Sequence, residues 1–200
     1  MKPEQTSAGH LRDMLRQVEE IDREAERLAG ELTEAQLGWV PREGGWSVGQ
    51  VLEHLVLGGT VYNEHLRPLV EGAPKSRAPW RPSPMGRLLV WSLRPAQRRK
   101  LKAPKIISPG PDPRSGVLAA FLECQSELAG LMRRCEGVDL RAKTRSPVNR
   151  LIPLNLGDCF AVLVVHARRH LEQIARIRGA EGFPAAGHPA SLSPRSTSNR

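Results

Sequence analysis

The stretch that decides the fold reads Asn155-Leu-Gly-Asp-Cys-Phe-Ala-Val-Leu-Val-Val-His166-Ala-Arg-Arg-His170-Leu-Glu-Gln173-Ile-Ala-Arg-Ile-Arg-Gly179. Its apolar residues recur with a period near 3.6, which predicts one amphipathic helix. Asn155 is expected to cap the first turn, and Gly179 is expected to end the helix. His166 and His170 lie four residues apart, so their side chains share one face, with Cβ atoms about 5–6 Å from each other. That spacing lets two imidazoles reach one metal ion, and Gln173 continues the same face.

Two further helices are indicated by apolar periodicity and by residues that start or stop helices. Residues Ser7–Ala29 carry one apolar stripe opposite a charged face, and Gly30 follows directly. Asp112-Pro113 combines an acidic N-cap with proline at the first helical position, which predicts a helix from here to about Gly137. A short helical turn is expected at residues 33–37.

The remaining long helix begins with a capping signal. Ser47 followed three residues later by Gln50 forms a predicted capping box, and Trp46 is expected to pack on the first turn as a hydrophobic staple. The apolar pattern continues to about Val70. His54 lies within this helix on the side that faces the core.

A basic, proline-rich insertion at residues 72–112 separates the second long helix from the third. Nine of the 17 prolines of the chain fall between Pro74 and Pro113, which excludes a continuous helix there. Residues 84–100 are expected to hold a short amphipathic helix, broken near Pro95. Residues 74–114 contain eleven Lys or Arg against one acidic residue, whereas the whole chain carries a formal charge of +9. The positive charge therefore belongs to this segment rather than to the fold.

These elements predict an all-α four-helix bundle with a long crossover connection over residues 7–180, without a clear strand. Residues 141–153 are expected to form a loop, and residues 181–200 a disordered tail. The chain has 200 residues, of which 40% are hydrophobic and 26% charged, which is ordinary for one soluble globular domain. No apolar run is long enough to span a membrane. The N-terminus carries no hydrophobic signal region, and three cysteines without a C-x-x-C pair favour a reducing, cytoplasmic location.

Two motifs carry a family resemblance. They are Gly45-Trp-Ser-Val-Gly-Gln-Val-Leu-Glu-His54-Leu55 and Leu156-Gly-Asp followed by His166-Ala-Arg-Arg-His170-Leu-Glu-Gln173-Ile174. Together they resemble the DinB/YfiT-like superfamily over about residues 7–180. The resemblance implies a four-helix bundle, often a homodimer, with a three-histidine site for a divalent metal such as nickel or zinc. Carried over to this sequence, the implied ligands are His54, His166 and His170. The length of the basic insertion departs from the family pattern.

The implied site would suit catalysis. Three neutral imidazoles leave at least one position on the metal for water or substrate, and a water or thiol bound there becomes a nucleophile at neutral pH. The resemblance implies a hydrolase or a thiol S-transferase that acts on a small-molecule substrate, with a low-molecular-weight thiol as one candidate. Gln50 and Gln173 are candidates for positions behind the ligands or against the substrate, although capping alone would explain Gln50.

Other interpretations stay open at this point. Single histidines on helix faces are more often structural than metal-binding. The basic segment 74–114 could bind nucleic acid or anionic lipid, but it contains no recognised reader module, and a solvated crossover is the simpler interpretation. A non-catalytic metal-binding bundle that presents the basic segment to a partner is the alternative function.

Overall fold

The computed structural model describes residues 6–94 and 103–185. The long helices are α1 (Ser7–Ala29), α3 (Val48–Gly72), α5 (Val117–Arg134) and α6 (Leu156–Arg178), and the shorter ones are α2 (Glu34–Gly38) and α4 (Pro84–Leu93). A 3₁₀ turn covers Lys105–Ile107, and strands β1 (Lys143–Arg145) and β2 (Pro153–Asn155) pair antiparallel. The predicted all-α four-helix bundle with a long crossover is confirmed, and the crossover joins α3 to α5.

The capping residues set the starts of α3 and α6 as predicted. In α3 the Ser47 hydroxyl accepts from the Gln50 amide nitrogen at 3.1 Å, and the Gln50 side chain accepts from the Ser47 amide at 3.0 Å. In α6 the Asn155 side chain accepts from the Asp158 amide at 2.8 Å, and the Asp158 carboxylate accepts from the Asn155 amide at 3.0 Å. Each box satisfies two backbone donors at a helix start, so the direction from which α3 and α6 enter the bundle is fixed locally.

Two predictions about the chain between α3 and α6 are wrong. The helix expected at Asp112-Pro113 begins at Val117, after Gly116 in a left-handed conformation with φ of 68°. The Pro113 ring packs on Gly49, where an added Cβ would lie 2.6 Å from the ring, so this contact holds Pro113 outside the helix. The loop expected at residues 141–153 contains β1 and pairs its residues with β2.

The core is formed where α3 packs against α5 and α6, and where α1 packs against the same two helices. Its largest fully buried side chains include Leu52, Phe121, Phe160 and Ile174. Cys159 is buried and forms no disulfide, as expected for a small apolar side chain in a core. The packing brings the second turn of α3, which carries His54, against the middle of α6, which carries His166 and His170.

The described part of the crossover covers the bundle in two places. Helix α4 lies on α6: the Ser83 amide donates to the Asp158 carboxylate at 3.1 Å, and an added Cβ at Gly86 would lie 2.3 Å from that carboxylate. Further along, buried Ile107 brings the 3₁₀ turn onto α3. The helix expected within residues 84–100 thus ends at Leu93, and residues 95–102 lie outside the described part.

The packed part of the chain extends beyond the predicted start of the tail at residue 181. The Phe183 ring lies edge-on to Trp39, with centroids 5.4 Å apart, and the Pro184 carbonyl accepts from the Gln36 side chain at 2.9 Å. Residues 186–200 of the predicted disordered tail lie outside the described residues. Within residues 6–94 and 103–185, no helix combines the length and apolar content needed to cross a bilayer.

Candidate metal centre

Three histidines from two helices meet between α3 and α6. His54 lies on α3, and His166 and His170 lie one turn apart on α6. The Nε2 atom of His166 is 3.2 Å from Nε2 of His54 and 3.1 Å from Nε2 of His170. One ring nitrogen from each residue lies within 4.8 Å of the others. The structure therefore brings together all three histidines that the sequence singled out.

Two of the three rings have a tautomer fixed from outside the cluster. Nδ1 of His54 is 2.6 Å from the backbone carbonyl oxygen of Ile107 in the 3₁₀ turn. A carbonyl oxygen only accepts, so this Nδ1 carries the proton. Nδ1 of His170 is 2.9 Å from Oε1 of Gln173 and donates in the same way. The Nε2 atoms of His54 and His170 are therefore unprotonated, and both face His166.

The cluster has fewer protons than its contacts require. His166 Nε2 can supply at most one proton, yet it lies at hydrogen-bond distance from two unprotonated nitrogens, those of His54 and His170. A cation among the three nitrogens would satisfy all of the lone pairs. A tetrahedral zinc ion with Zn–N bonds of about 2.0–2.1 Å needs ligand nitrogens about 3.3 Å apart, close to the two separations observed. The donor set therefore fits a divalent metal.

The surroundings keep the three rings neutral. Burial lowers the pKa of His54, although its hydrogen bond to Ile107 acts in the opposite direction. Burial, together with the neighbouring His170 and His54, lowers the pKa of His166 well below its ordinary value. Burial, followed by the effect of His54, lowers the pKa of His170 to about 3. Near neutral pH the rings can therefore bind a cation without first losing a proton.

An indole ring covers one side of the cluster. The centroid of the Trp46 ring is 4.8 Å from that of His54 and 6.3 Å from that of His170, and the Trp46 and His170 rings are stacked with an interplanar angle of 28°. Sequence reasoning assigned Trp46 only to a hydrophobic staple. Trp46 lies two residues before the first residue of α3, so helical spacing does not place it beside His54.

The two glutamines have different positions. Gln173 accepts from Nδ1 of His170, on the side of that ring away from the cluster. Gln50 completes the capping box, and its Nε2 donates to the Gly110 carbonyl at 2.8 Å. Gln50 therefore holds the end of the crossover against α3, and its hydrogen bonds run away from the histidine rings.

Other polar residues near the two motifs are engaged elsewhere. His65 hydrogen-bonds Thr144 at 2.7 Å through Nε2, so it is engaged away from the three-histidine cluster. Arg168 forms an ion pair with Glu20 of α1. Arg169 donates to the backbone carbonyl of Arg94 at 3.3 Å, so it connects α6 to the end of α4.

Comparison with known proteins agrees with this fold. The family described as the DinB superfamily matches residues 17–174. Among solved structures, YfiT from Bacillus subtilis, described as a probable metal-dependent hydrolase with an unusual four-helix bundle topology, matches with a TM-score of 0.55 and 20% sequence identity. The match covers 84% of this chain and 86% of that one, and at this identity it shows a common fold. Among curated proteins, none matches significantly.

Proposed function

Since the chain belongs to the DinB superfamily, we propose that it is a metal-dependent enzyme whose divalent ion is held by His54, His166 and His170. The observation that carries this proposal is the convergence of three Nε2 atoms. Those of His54 and His170 are unprotonated, and His166 Nε2 can supply at most one proton for its two contacts. Imidazole ligands suit zinc and nickel, and these are the proposed metals.

The proposed reaction is hydrolysis or thiol transfer on a small-molecule substrate. A divalent ion with three imidazole ligands keeps coordination positions open and lowers the pKa of a water or thiol that binds there. The chain itself orients the ligands: the Ile107 carbonyl fixes His54, and Gln173 fixes His170. Trp46 shields one side of the cluster from water. The description of YfiT as a probable metal-dependent hydrolase supports the hydrolytic form of the proposal.

Metal binding is tested first. The purified chain is saturated with zinc or nickel, dialysed and analysed for bound metal, together with the variants His54→Ala and His166→Ala. Loss of a residue that hydrogen-bonds a metal ligand already lowers metal affinity about 10–100-fold, so loss of a ligand itself should lower it more than about 100-fold. His65→Ala is the matched control, because His65 lies on the same helix as His54 but hydrogen-bonds Thr144. Unchanged occupancy in both ligand variants would contradict the proposed site.

The reaction is tested second. The metal-loaded chain is screened against ester and amide substrates, with and without a low-molecular-weight thiol. Turnover without thiol indicates a hydrolase, and turnover only with thiol indicates an S-transferase. Both activities should be absent in His166→Ala. In the wild-type chain they should be lost when the metal is removed and should return when it is added back. Metal binding without turnover in either arm would favour the alternative, a non-catalytic metal-binding bundle that presents the basic insertion to a partner.

Three further properties are proposed from the family resemblance and from the sequence. The chain is expected to form a homodimer, to use a low-molecular-weight thiol if it is a transferase, and to work in the cytoplasm. Sedimentation velocity of the purified chain tests the first of these, and a monomer at micromolar concentration would contradict it.

A further inference from the structure

Helix α4 presents large apolar side chains on its outer face. Met85, Leu88 and Trp91 are spaced three residues apart, and they are 36%, 55% and 52% exposed. Six large apolar side chains are exposed among the described residues, and half of them lie on this single helix of 10 residues. Such a concentration is unusual on a surface, where exposed apolar side chains are normally scattered singly.

This face is fixed in its outward orientation. At the start of α4, Ser83 is bonded to Asp158 of α6, and Gly86 lies so close to the same carboxylate that no side chain would fit between them. At the other end, the carbonyl of Arg94 accepts from Arg169 of α6. The opposite face of α4 is attached to α6 at both ends. The apolar side chains on the outer face of α4 therefore cannot turn into the core.

Positive side chains line two grooves next to the apolar face. Arg87 and Arg94 are exposed and line one groove together with Leu88 and Trp91, and the single acid in that lining is buried Asp158 of α6. Next to Met85, a second groove of about 1050 Å³ is lined by side chains of the β1–β2 region, including Lys143 and Arg145. Its lining contains no Asp or Glu. In the sequence, the only acidic residue between positions 74 and 114 is Asp112.

We propose that this surface binds the face of an anionic lipid bilayer. We call it the α4 surface and define it by Met85, Arg87, Leu88, Trp91 and Lys143. Amphipathic helices that lie in a membrane interface combine an apolar face, a tryptophan at headgroup depth and cations that pair with acidic lipids. A nucleic acid would match the charges but would leave the apolar side chains without a partner, since such interfaces are strongly polar.

The test uses the full chain and sedimented vesicles. The chain should bind vesicles of phosphatidylcholine mixed with phosphatidylglycerol, should not bind phosphatidylcholine alone, and should dissociate as salt is raised. Tryptophan emission should shift to shorter wavelength on binding, because Trp91 is exposed whereas Trp39, Trp46 and Trp80 are partly or fully buried. The double variant Leu88→Ser and Trp91→Ser should bind more than about tenfold more weakly.

The charge contribution is measured separately, with matched controls. Arg87→Gln and Lys143→Gln should each weaken binding about fivefold. Val40→Ser removes an exposed apolar side chain elsewhere, and Arg12→Gln removes an exposed cation on α1. Neither control should change binding. The variants replace exposed side chains, and unchanged circular dichroism together with unchanged urea unfolding confirms that they are folded.

Several outcomes would overturn the proposal. They are no binding of the wild-type chain to anionic vesicles, equal binding to neutral ones, or full binding by the Leu88 and Trp91 double variant. If that variant instead converts a dimer into a monomer while the wild-type chain ignores vesicles, the surface joins two copies of this chain. Retention on a random DNA duplex without vesicle binding would assign it to nucleic acid. None of these results depends on catalysis, so the proposal stands or fails apart from the metal centre.

Discussion

The substitution Gln173→Leu tests whether the tautomer of His170 prepares the metal centre. Gln173 Oε1 accepts the Nδ1 proton of His170 at 2.9 Å, and His170 is only 9% exposed, so water is a poor replacement for this acceptor. Without Gln173 the proton can move to Nε2, the atom that faces His166. Loss of such an outer partner typically costs about 10–100-fold in metal affinity, which is about 1.4–2.7 kcal/mol. We therefore expect Gln173→Leu to bind zinc about 10–100-fold more weakly than the wild type.

The measurement is a zinc titration in competition with a chromophoric chelator at neutral pH. Glu172→Leu is the matched control, because Glu172 precedes Gln173 on the same helix and is exposed. Gln173→Glu is the informative opposite change, since a carboxylate accepts the Nδ1 proton more strongly than an amide oxygen. We expect this variant to bind zinc at least as tightly as the wild type.

The result that refutes the reasoning is equal zinc affinity in Gln173→Leu and in the wild type. The hydrogen bond between Gln173 and His170 would then be incidental. An equal loss in Glu172→Leu would also count against the argument, because the effect would then come from a general weakening of α6.

Three other changes have expected outcomes. Burial raises the pKa of Asp22 to about 6, so ionisation of this group destabilises the folded chain as the pH rises. Near pH 8 the free energy of unfolding of Asp22→Asn should therefore exceed that of the wild type by about 1–2 kcal/mol, whereas below about pH 4 the two should differ little. This difference is measured by urea unfolding across that range. An added Cβ at Gly157 would lie 2.4 Å from the Trp80 ring, so Gly157→Ala should lose about 1–3 kcal/mol in the same assay. Trp46→Ala should expose the histidines, raise the pKa of His54 toward its ordinary value and speed zinc removal by a chelator about tenfold.

Each of these changes has a control of the same type. Asp13→Asn removes the charge of a half-exposed acid on the same helix, whose side chain is 51% exposed, and is measured in parallel as the control. Gly38→Ala places a Cβ where nothing lies within 4 Å and should be nearly neutral. Trp39→Ala removes an indole that packs on Phe183 and should not alter zinc release. A pH-independent effect of Asp22→Asn, a neutral Gly157→Ala or an unchanged release rate in Trp46→Ala would contradict the corresponding prediction.

The starts of α3 and α6 could be predicted because the sequence signals that set them are local. A Ser47 or Asn155 side chain needs only the backbone three residues ahead to complete a capping box, so sequence spacing contains the necessary information. The start of α5 could not be predicted in this way. Asp112-Pro113 has the composition of a helix start, but the contact of Pro113 with Gly49 places the start after Gly116, and this contact joins distant parts of the chain.

The strands were missed for a related reason. β1 and β2 have three residues each, too few to show an alternating pattern, and β2 contains a proline that argues against a strand. Their pairing, Lys143 with Asn155 and Arg145 with Pro153, forms because the residues between the two strands reverse the chain before α6 begins.

The candidate site likewise contains one part that local sequence spacing predicts and one part that depends on contacts distant in the sequence. The facing pair His166 and His170 follows from helical spacing within α6. His54 entered only through the family resemblance, because nothing in the spacing of α3 shows that it meets α6. The acceptor that fixes its ring is 53 residues away in the sequence and belongs to the main chain, so no side-chain pattern announces it.

That main-chain acceptor has a consequence for how such a site can vary among relatives. Every amino acid at position 107 offers the same carbonyl oxygen, so no point mutation there deletes the acceptor itself. An insertion or deletion next to Ile107, in contrast, would shift the oxygen relative to the His54 ring. Orientation of this histidine should therefore tolerate divergence in the composition of the crossover and be sensitive to changes in length close to Ile107.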